Sequence, residues 1–394
     1  MKKKSHYQNI LFPFIIFGMF FLFIELLAKV YLHVYPISYK AWYPEKIEGA
    51  IVSDLQFNHK WRSSLSIRIP ARGSFNEIIT NKESWLEKYE ITKNKPPNVY
   101  RIFYLGDSTT QGVAEWDKSM VNILEKKLNQ YYQGKPLIEI VNTGTSSYST
   151  LIYYLLIRHK LLQYSPDLVV INIDMTDVTN DMLYRKRIVT DNQGLPIAVQ
   201  PFELEDKKHF RMTPSGIIEI STLDKWNQFL YNNLSFYRCL DSLISKIHKE
   251  KPKIKLQAGW LPWHVKIDSS SNWLSKEWNS SIQANVDFSM GILRNSIELL
   301  QQNAIKVIFT GVPHYQQYTG ELSSKPHEVL QEVSIQTDAL YLNSYLSLKT
   351  KISGTKITKY YWSSDPTHFN NSGNEIWADA QYRFLMKHKG TIIP

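Results

Sequence analysis

Four short runs of apolar, largely β-branched residues recur between Val99 and Pro313: "VYRIFYLG" (99–106), "LIEIVNTG" (137–144), "DLVVINID" (167–174) and "IKVIFTGVP" (305–313). The stretches between them, "VNILEKKLNQYY", "TLIYYLLIRHKLLQY" and "VDFSMGILRNSIELLQQN", carry helical patterns, and "NNSGNEIWADAQYRFLMKH" adds a closing helix. A strand that is apolar on both faces has to be covered on both, which a parallel sheet between two layers of helices achieves. The expected fold is therefore α/β, a three-layer α/β/α sandwich with a mostly parallel central sheet. The alternation breaks at about residues 182–285, which read as an insertion. It holds Trp260, Trp263, Trp273 and Trp278, either to stack on sugar rings or to pack the insertion on the main body.

Ahead of this region, Lys2, Lys3 and Lys4 precede an apolar stretch from Ile10 through Leu32, interrupted only by Pro13, Glu25 and Lys29. Its length suits a hydrocarbon core about 30 Å thick. With the positive cluster before it and no small-x-small cleavage site after it, the expectation is an uncleaved anchor. The expected organisation is a cytoplasmic tail (1–9), a transmembrane anchor (10–32), a juxtamembrane lead-in (33–96) and an extracytoplasmic domain (97–390). In the lead-in, "SLSIRIPARGSF" (64–75) reads as an alternating strand followed by a turn.

The formal net charge of +10 is scattered along the chain with no nucleic-acid-reading motif, so nucleic acid is not an expected partner. The single cysteine, Cys239, excludes an internal disulfide, a redox pair of cysteines and a cysteine-rich zinc site. His264, His314 and His327 lack ligand spacing, and neither a metal nor a cofactor is expected.

The chemistry points to "YLGDSTTQG" (104–112). A phosphate-binding loop needs four residues between its glycines and Lys-Ser/Thr after the second, whereas five residues separate Gly106 from Gly112 and Val113 follows. A dinucleotide fingerprint is also absent. What remains is Ser108, just past the carboxyl end of a buried strand, where open α/β sheets place their sites. A serine nucleophile needs a base and the base an orienter. Asp365 and His368, in "SSDPTHFNNSG", supply both three residues apart.

These stretches, in this order, resemble the blocks of the SGNH (GDSL-type) hydrolase superfamily: "YLGDSTTQG", "VNTGTSSYS", "DLVVINIDMTDV" and "DPTHFNNSGNEIWA". The resemblance covers about residues 97–390 and implies a flavodoxin-like sandwich. It implies Ser108 as nucleophile, Asp365 and His368 as its partners, and the backbone N–H groups of Ser108 and Gly144 as oxyanion donors. In the third block Asp174-Met175-Thr176-Asp177 stands where the family has Gly-x-Asn-Asp, so Thr176 takes the place of the asparagine donor, with Asn180 one turn on as an alternative. Membrane-anchored relatives with this architecture imply an esterase or acyltransferase acting on O-acyl, above all O-acetyl, esters of a cell-surface glycan, with polysaccharide-biosynthesis proteins as partners. Two other readings stay open: a non-catalytic glycan-binding or assembly protein, and a lipid-directed esterase.

Overall fold

All four apolar runs are strands: β1 (Val99–Leu105), β2 (Leu137–Asn142), β3 (Leu168–Asp174) and β4 (Lys306–Val312). A fifth, β5 (Leu340–Leu342), joins them at an edge. The computed structural model describes residues 4–34, 50–71, 74–201, 210–212, 218–220, 226, 230, 234–247, 273–362 and 365–394. The chain divides into two compact units, Met1–Trp42 with Pro70–Gly73 and Glu219–Lys255, and Tyr43–Ile69 with Ser74–Ile218 and Leu256–Pro394.

The larger unit is built on the five-stranded sheet, in the order β2-β1-β3-β4-β5. Every neighbouring pair is parallel. This is the doubly wound order in which the chain reverses direction across the sheet between β1 and β3, so that a crevice opens at the carboxyl ends of those two strands. Alternate residues feed two cores. Ile102, Tyr104, Val170 and Ile308 face a layer containing Leu124, Leu128, Leu348, Ile352 and Trp377, from helices Met120–Tyr132, Ser344–Ile352 and Asn371–Lys387. Phe103, Leu105, Val169, Ile171 and Phe309 face a layer containing Leu151, Leu155, Leu293, Ile297 and Leu330, from helices Thr150–His159, Ser280–Gln302 and Lys325–Thr337. Burying a side chain of this kind is worth about 1.5–3 kcal/mol, and both faces of the sheet are covered in this way. The three-layer α/β/α sandwich is the fold.

Three local features differ from the sequence pattern or extend it. The helix expected from Val286 begins at Ser280, because Asn279 caps it by accepting the Ile282 N–H at 2.9 Å. In the lead-in, Ser66–Ala71 and Ser74–Ile79 form a two-stranded ribbon, and Phe57, Trp85 and Ile91 are part of the larger core. Trp273 is fully buried, with its indole N–H donating to the Met175 carbonyl at 2.6 Å. Trp278 donates to the Trp273 carbonyl at 3.0 Å. These two tryptophans are packing residues, while Trp260, Trp263 and His264 lie outside the described residues.

In the smaller unit, a helix runs from Lys4 to Val34 through Pro13. Its Phe12–Leu32 portion, 21 residues, is long and apolar enough to cross a membrane by length and composition. A second helix, Ser235–Ile247, packs on it.

Candidate active site

Ser108 is presented by a tight junction at the end of β1. After Leu105 the chain turns through Gly106 and Asp107 into the short helix Ser108–Gln111. A Cβ on Gly106 would lie 1.9 Å from the Thr110 hydroxyl, so only glycine lets the turn close this tightly. Asp107 caps the helix, its Oδ1 accepting both the Thr109 N–H and the Thr109 hydroxyl at 2.8 Å. The far side of the turn is tied to neighbouring strands. Asn172 Nδ2 donates to the Thr110 hydroxyl at 2.8 Å, Asn142 Nδ2 to the Thr110 carbonyl at 3.1 Å, and the Ser146 hydroxyl to Gln111 Oε1 at 2.9 Å. Support from β2, β3 and the loop after β2, together with the Asp107 cap, thus fixes where the serine points.

Asp365 and His368 sit on the strand Asp365–Phe369, which pairs antiparallel with Tyr361–Trp362. The helix that follows, Asn371–Lys387, is capped by Asn370 accepting the Gly373 N–H at 3.0 Å. This strand also packs on the Ser108–Gln111 helix. His368 Nε2 is 2.8 Å from Ser108 Oγ, and His368 Nδ1 is 2.7 Å from Asp365 Oδ2. The other Asp365 oxygen accepts the backbone N–H groups of Thr367 and His368 at 3.0 and 3.1 Å, which prevents the carboxylate from rotating away. An ionised carboxylate can only accept, so the proton on His368 resides on Nδ1, and Nε2 is left to accept from the Ser108 hydroxyl. The three residues singled out from the sequence therefore form one hydrogen-bonded chain, with side chains of His368 and Asp365 15% and 11% exposed.

Behind the serine lies a group of buried acids that the sequence did not single out as functional. Asp107, Asp174 and Asp177 are all essentially inaccessible. Asp174, at the end of β3, faces His314, just beyond β4, with His314 Nε2 3.3 Å from its Oδ2. Burial raises the Asp107 carboxyl, and the charge of Asp174 raises it further. The two hydrogen bonds from Thr109 and the proximity of His368 oppose this, leaving it at about 7. Burial acts on Asp174 in the same upward sense, but His314 and the two hydrogen bonds from Thr176 outweigh it and hold this carboxyl below its ordinary value. Asp177 is pushed well up by burial and then by Asp107, Asp174 and Asp181. One carboxylate of the group keeps its charge and its neighbours are discouraged from ionising. The available signal was positional: "TGVPHY" sets His314 at the carboxyl end of a core strand, the same edge as Ser108 and Asp174.

The expected oxyanion donors are differently engaged. The Ser108 N–H is in the first turn of its helix and has no intrahelical acceptor to satisfy. The Gly144 N–H, in contrast, donates to Asn142 Oδ1 at 2.9 Å. Thr176 gives both its hydroxyl, at 2.7 Å, and its N–H, at 2.8 Å, to Asp174 Oδ1. Asn180 Nδ2 reaches the Ser147 carbonyl at 3.3 Å, so the alternative donor is also turned elsewhere. Asp181 caps the helix Thr150–His159, accepting the Leu151 N–H at 3.1 Å. In this arrangement Gly144 is needed for fit: a Cβ there would lie 2.3 Å from the Gln111 backbone nitrogen. Gly144→Ala is therefore expected to push the serine-bearing turn away from the loop after β2. We expect a loss of about 1–3 kcal/mol in stability, read from the denaturant midpoint.

No protein-family model and no curated protein matches the chain. Among solved structures, it is similar to an acetylxylan esterase from Geobacillus stearothermophilus, with a TM-score of 0.40 and 13% identity over 75% of this chain and 96% of that one. It is also similar to an alpha/beta hydrolase enzyme from the metagenome of Lake Arreo, Spain, with a TM-score of 0.39 and 12% identity over 75% of this chain and 97% of that one.

Proposed function

We propose that this chain is a membrane-anchored, extracytoplasmic serine esterase or acyltransferase of the SGNH type, acting on O-acetyl esters of a cell-surface glycan. The observation that carries the reading is the continuous hydrogen-bonded path from Ser108 Oγ through the His368 imidazole to Asp365. Ser108 Oγ attacks the ester carbonyl while His368 Nε2 takes its proton. Collapse of the tetrahedral intermediate expels the alcohol, which receives that proton, and leaves an acyl-Ser108 ester. Asp365 keeps the imidazole in the productive tautomer and steadies its positive charge. Water then completes hydrolysis, or a sugar hydroxyl completes transfer, with His368 again as base.

The developing oxyanion takes the Ser108 N–H as its first donor. The Gly144 N–H and the Thr176 hydroxyl join it by exchanging Asn142 and Asp174 for the substrate oxygen. Each such donor is worth about 3 kcal/mol of transition-state stabilisation, so the exchange decides the rate. If the exchange does not occur, the fold is left as a glycan-binding or assembly protein, a reading favoured by the engagement of both donors. The anchor reading rests on the length and apolarity of Phe12–Leu32 and on the lysines before it, which favour a cytoplasmic N-terminus.

The test is labelling of the full chain in detergent with a serine-directed phosphonate. Labelling of the wild type that is lost in Ser108→Ala supports the esterase; an unlabelled wild type refutes it and leaves the binding protein. Release of acetate from an acetylated glycan, with little turnover of a long-chain ester, separates the glycan substrate from a lipid one.

A further inference from the structure

Glu25 stands within the apolar portion of the N-terminal helix, where a carboxylate without partners is strongly disfavoured. Here it is buried, and its two oxygens accept the N–H groups of Ser235 and Phe236 at 2.9 and 3.0 Å. These N–H groups open the helix Ser235–Ile247 and have no intrahelical acceptors, so the carboxylate and the helix start satisfy one another. Among the described side chains of the long helix, burial falls in its last third. Its large apolar side chains from Phe12 to Phe23 are exposed, whereas Glu25 and Ala28, one turn apart on the same side, are buried.

The second helix has an apolar stripe of its own. Its sequence sets Phe236, Leu240, Leu243, Ile244 and Ile247 at helical spacing. Leu240 and Leu243 nevertheless remain 40% and 55% exposed after the helix has packed. Glu25 lies two turns before the end of the span at Leu32, about 10 Å along the axis at 1.5 Å per residue. An interfacial amphipathic helix buries its apolar face to about 5–10 Å at the headgroup-to-acyl boundary. The tether thus sets the start of the second helix within the depth where such a face is solvated by lipid.

We propose that the helix Ser235–Ile247 is a membrane-interface element, held beside the anchor by Glu25, with Leu240 and Leu243 seated among phospholipid acyl chains. This rests on the reading of Phe12–Leu32 as a transmembrane anchor. The part of the insertion that carries this helix is then fixed to the bilayer at a defined depth.

Cys239 is the only cysteine, so a Cys239→Ser background allows single labels on the full chain in phosphatidylcholine vesicles. An environment-sensitive fluorophore is placed at Leu243→Cys or, as the anchor control, at Leu22→Cys. The label at 243 is expected to be quenched about twofold by lipid carrying a shallow nitroxide and shielded from iodide, while the label at 22 is quenched by a deep nitroxide. In Glu25→Ala the lipid quenching at 243 is expected to fall while that at 22 persists. A label at 243 open to iodide, with 22 still lipid-quenched, overturns this proposal alone; a label at 22 open to iodide overturns the anchor. Undiminished lipid quenching at 243 in Glu25→Ala overturns the tether.

Discussion

Replacing Ser108 or His368 by alanine is expected to lower kcat for acetyl-ester cleavage by about a million-fold, and Asp365→Asn by about ten-thousand-fold. The hierarchy follows from the geometry. Without Ser108 there is no nucleophile, and without His368, whose Nε2 is 2.8 Å from Ser108 Oγ, the remaining side-chain acceptor is Asp107 Oδ2 at 3.4 Å, too long for efficient proton transfer. Asp365 acts one step removed, through the 2.7 Å contact to Nδ1, so its loss leaves both reacting groups present but the imidazole free to adopt the wrong tautomer. Removing two of the three together should cost little more than removing one, because they work as a unit. The measurement is kcat and KM on a chromogenic acetyl ester for each single and double variant. Activity of Ser108→Ala within tenfold of wild type, or multiplicative losses in the double variants, would exclude the mechanism.

The parts of this molecule that could be read from its sequence are those fixed by short-range pattern. Each of the four long strands is apolar on both faces because it is covered on both, and that requirement writes itself as a continuous apolar run. The fifth, Leu340–Leu342, lies at the sheet edge and is three residues long, too short for any period to show. Asp365 and His368 were legible as a pair because three residues of local backbone bring them together. Their link to Ser108 spans 260 residues and was inferable from the place of Ser108 at a strand end together with the resemblance of the four blocks.

The engagement of Gly144 and Thr176 was hidden for a different reason. In both cases a side-chain oxygen two residues earlier, of Asn142 or Asp174, accepts the backbone N–H. This is the local turn that Asn and Asp favour. Asn-Thr-Gly and Asp-Met-Thr carry that signal, but a reading directed at donors for a substrate passes over acceptors already at hand. The Asp174–His314 contact joins residues 140 apart on two strand ends, and only the parallel register that sets Val312 opposite Asp174 brings them together.

The buried acids behind Ser108 make stability depend on pH in a way that one substitution isolates. Burial and the charge of Asp174 push the Asp107 carboxyl up to about 7 in the folded chain, from an ordinary value of 3.8. Between those two values the folded protein keeps a proton on this group that the unfolded chain has released. Folding is then favoured at the acid end, and this contribution is lost as pH rises through 7. In Asp107→Asn nothing titrates at this position, while the amide oxygen can still accept the Thr109 N–H. Relative to that variant, the wild type is expected to lose on the order of 4 kcal/mol of unfolding free energy between pH 4 and pH 8. Comparing the two chains also cancels the opposing effect of His59, whose burial lowers it to about 4 and which therefore favours folding as pH rises. The measurement is urea unfolding followed by tryptophan fluorescence at several pH values. A pH-independent difference between the two chains would mean that Asp107 ionises normally beside the serine. Because the charge of Asp174 is, after burial, the second raising influence on Asp107, repeating the comparison in an Asp174→Asn background should shrink the loss. An undiminished loss there would assign the shift to burial alone and remove Asp174 from any electrostatic role at the nucleophile.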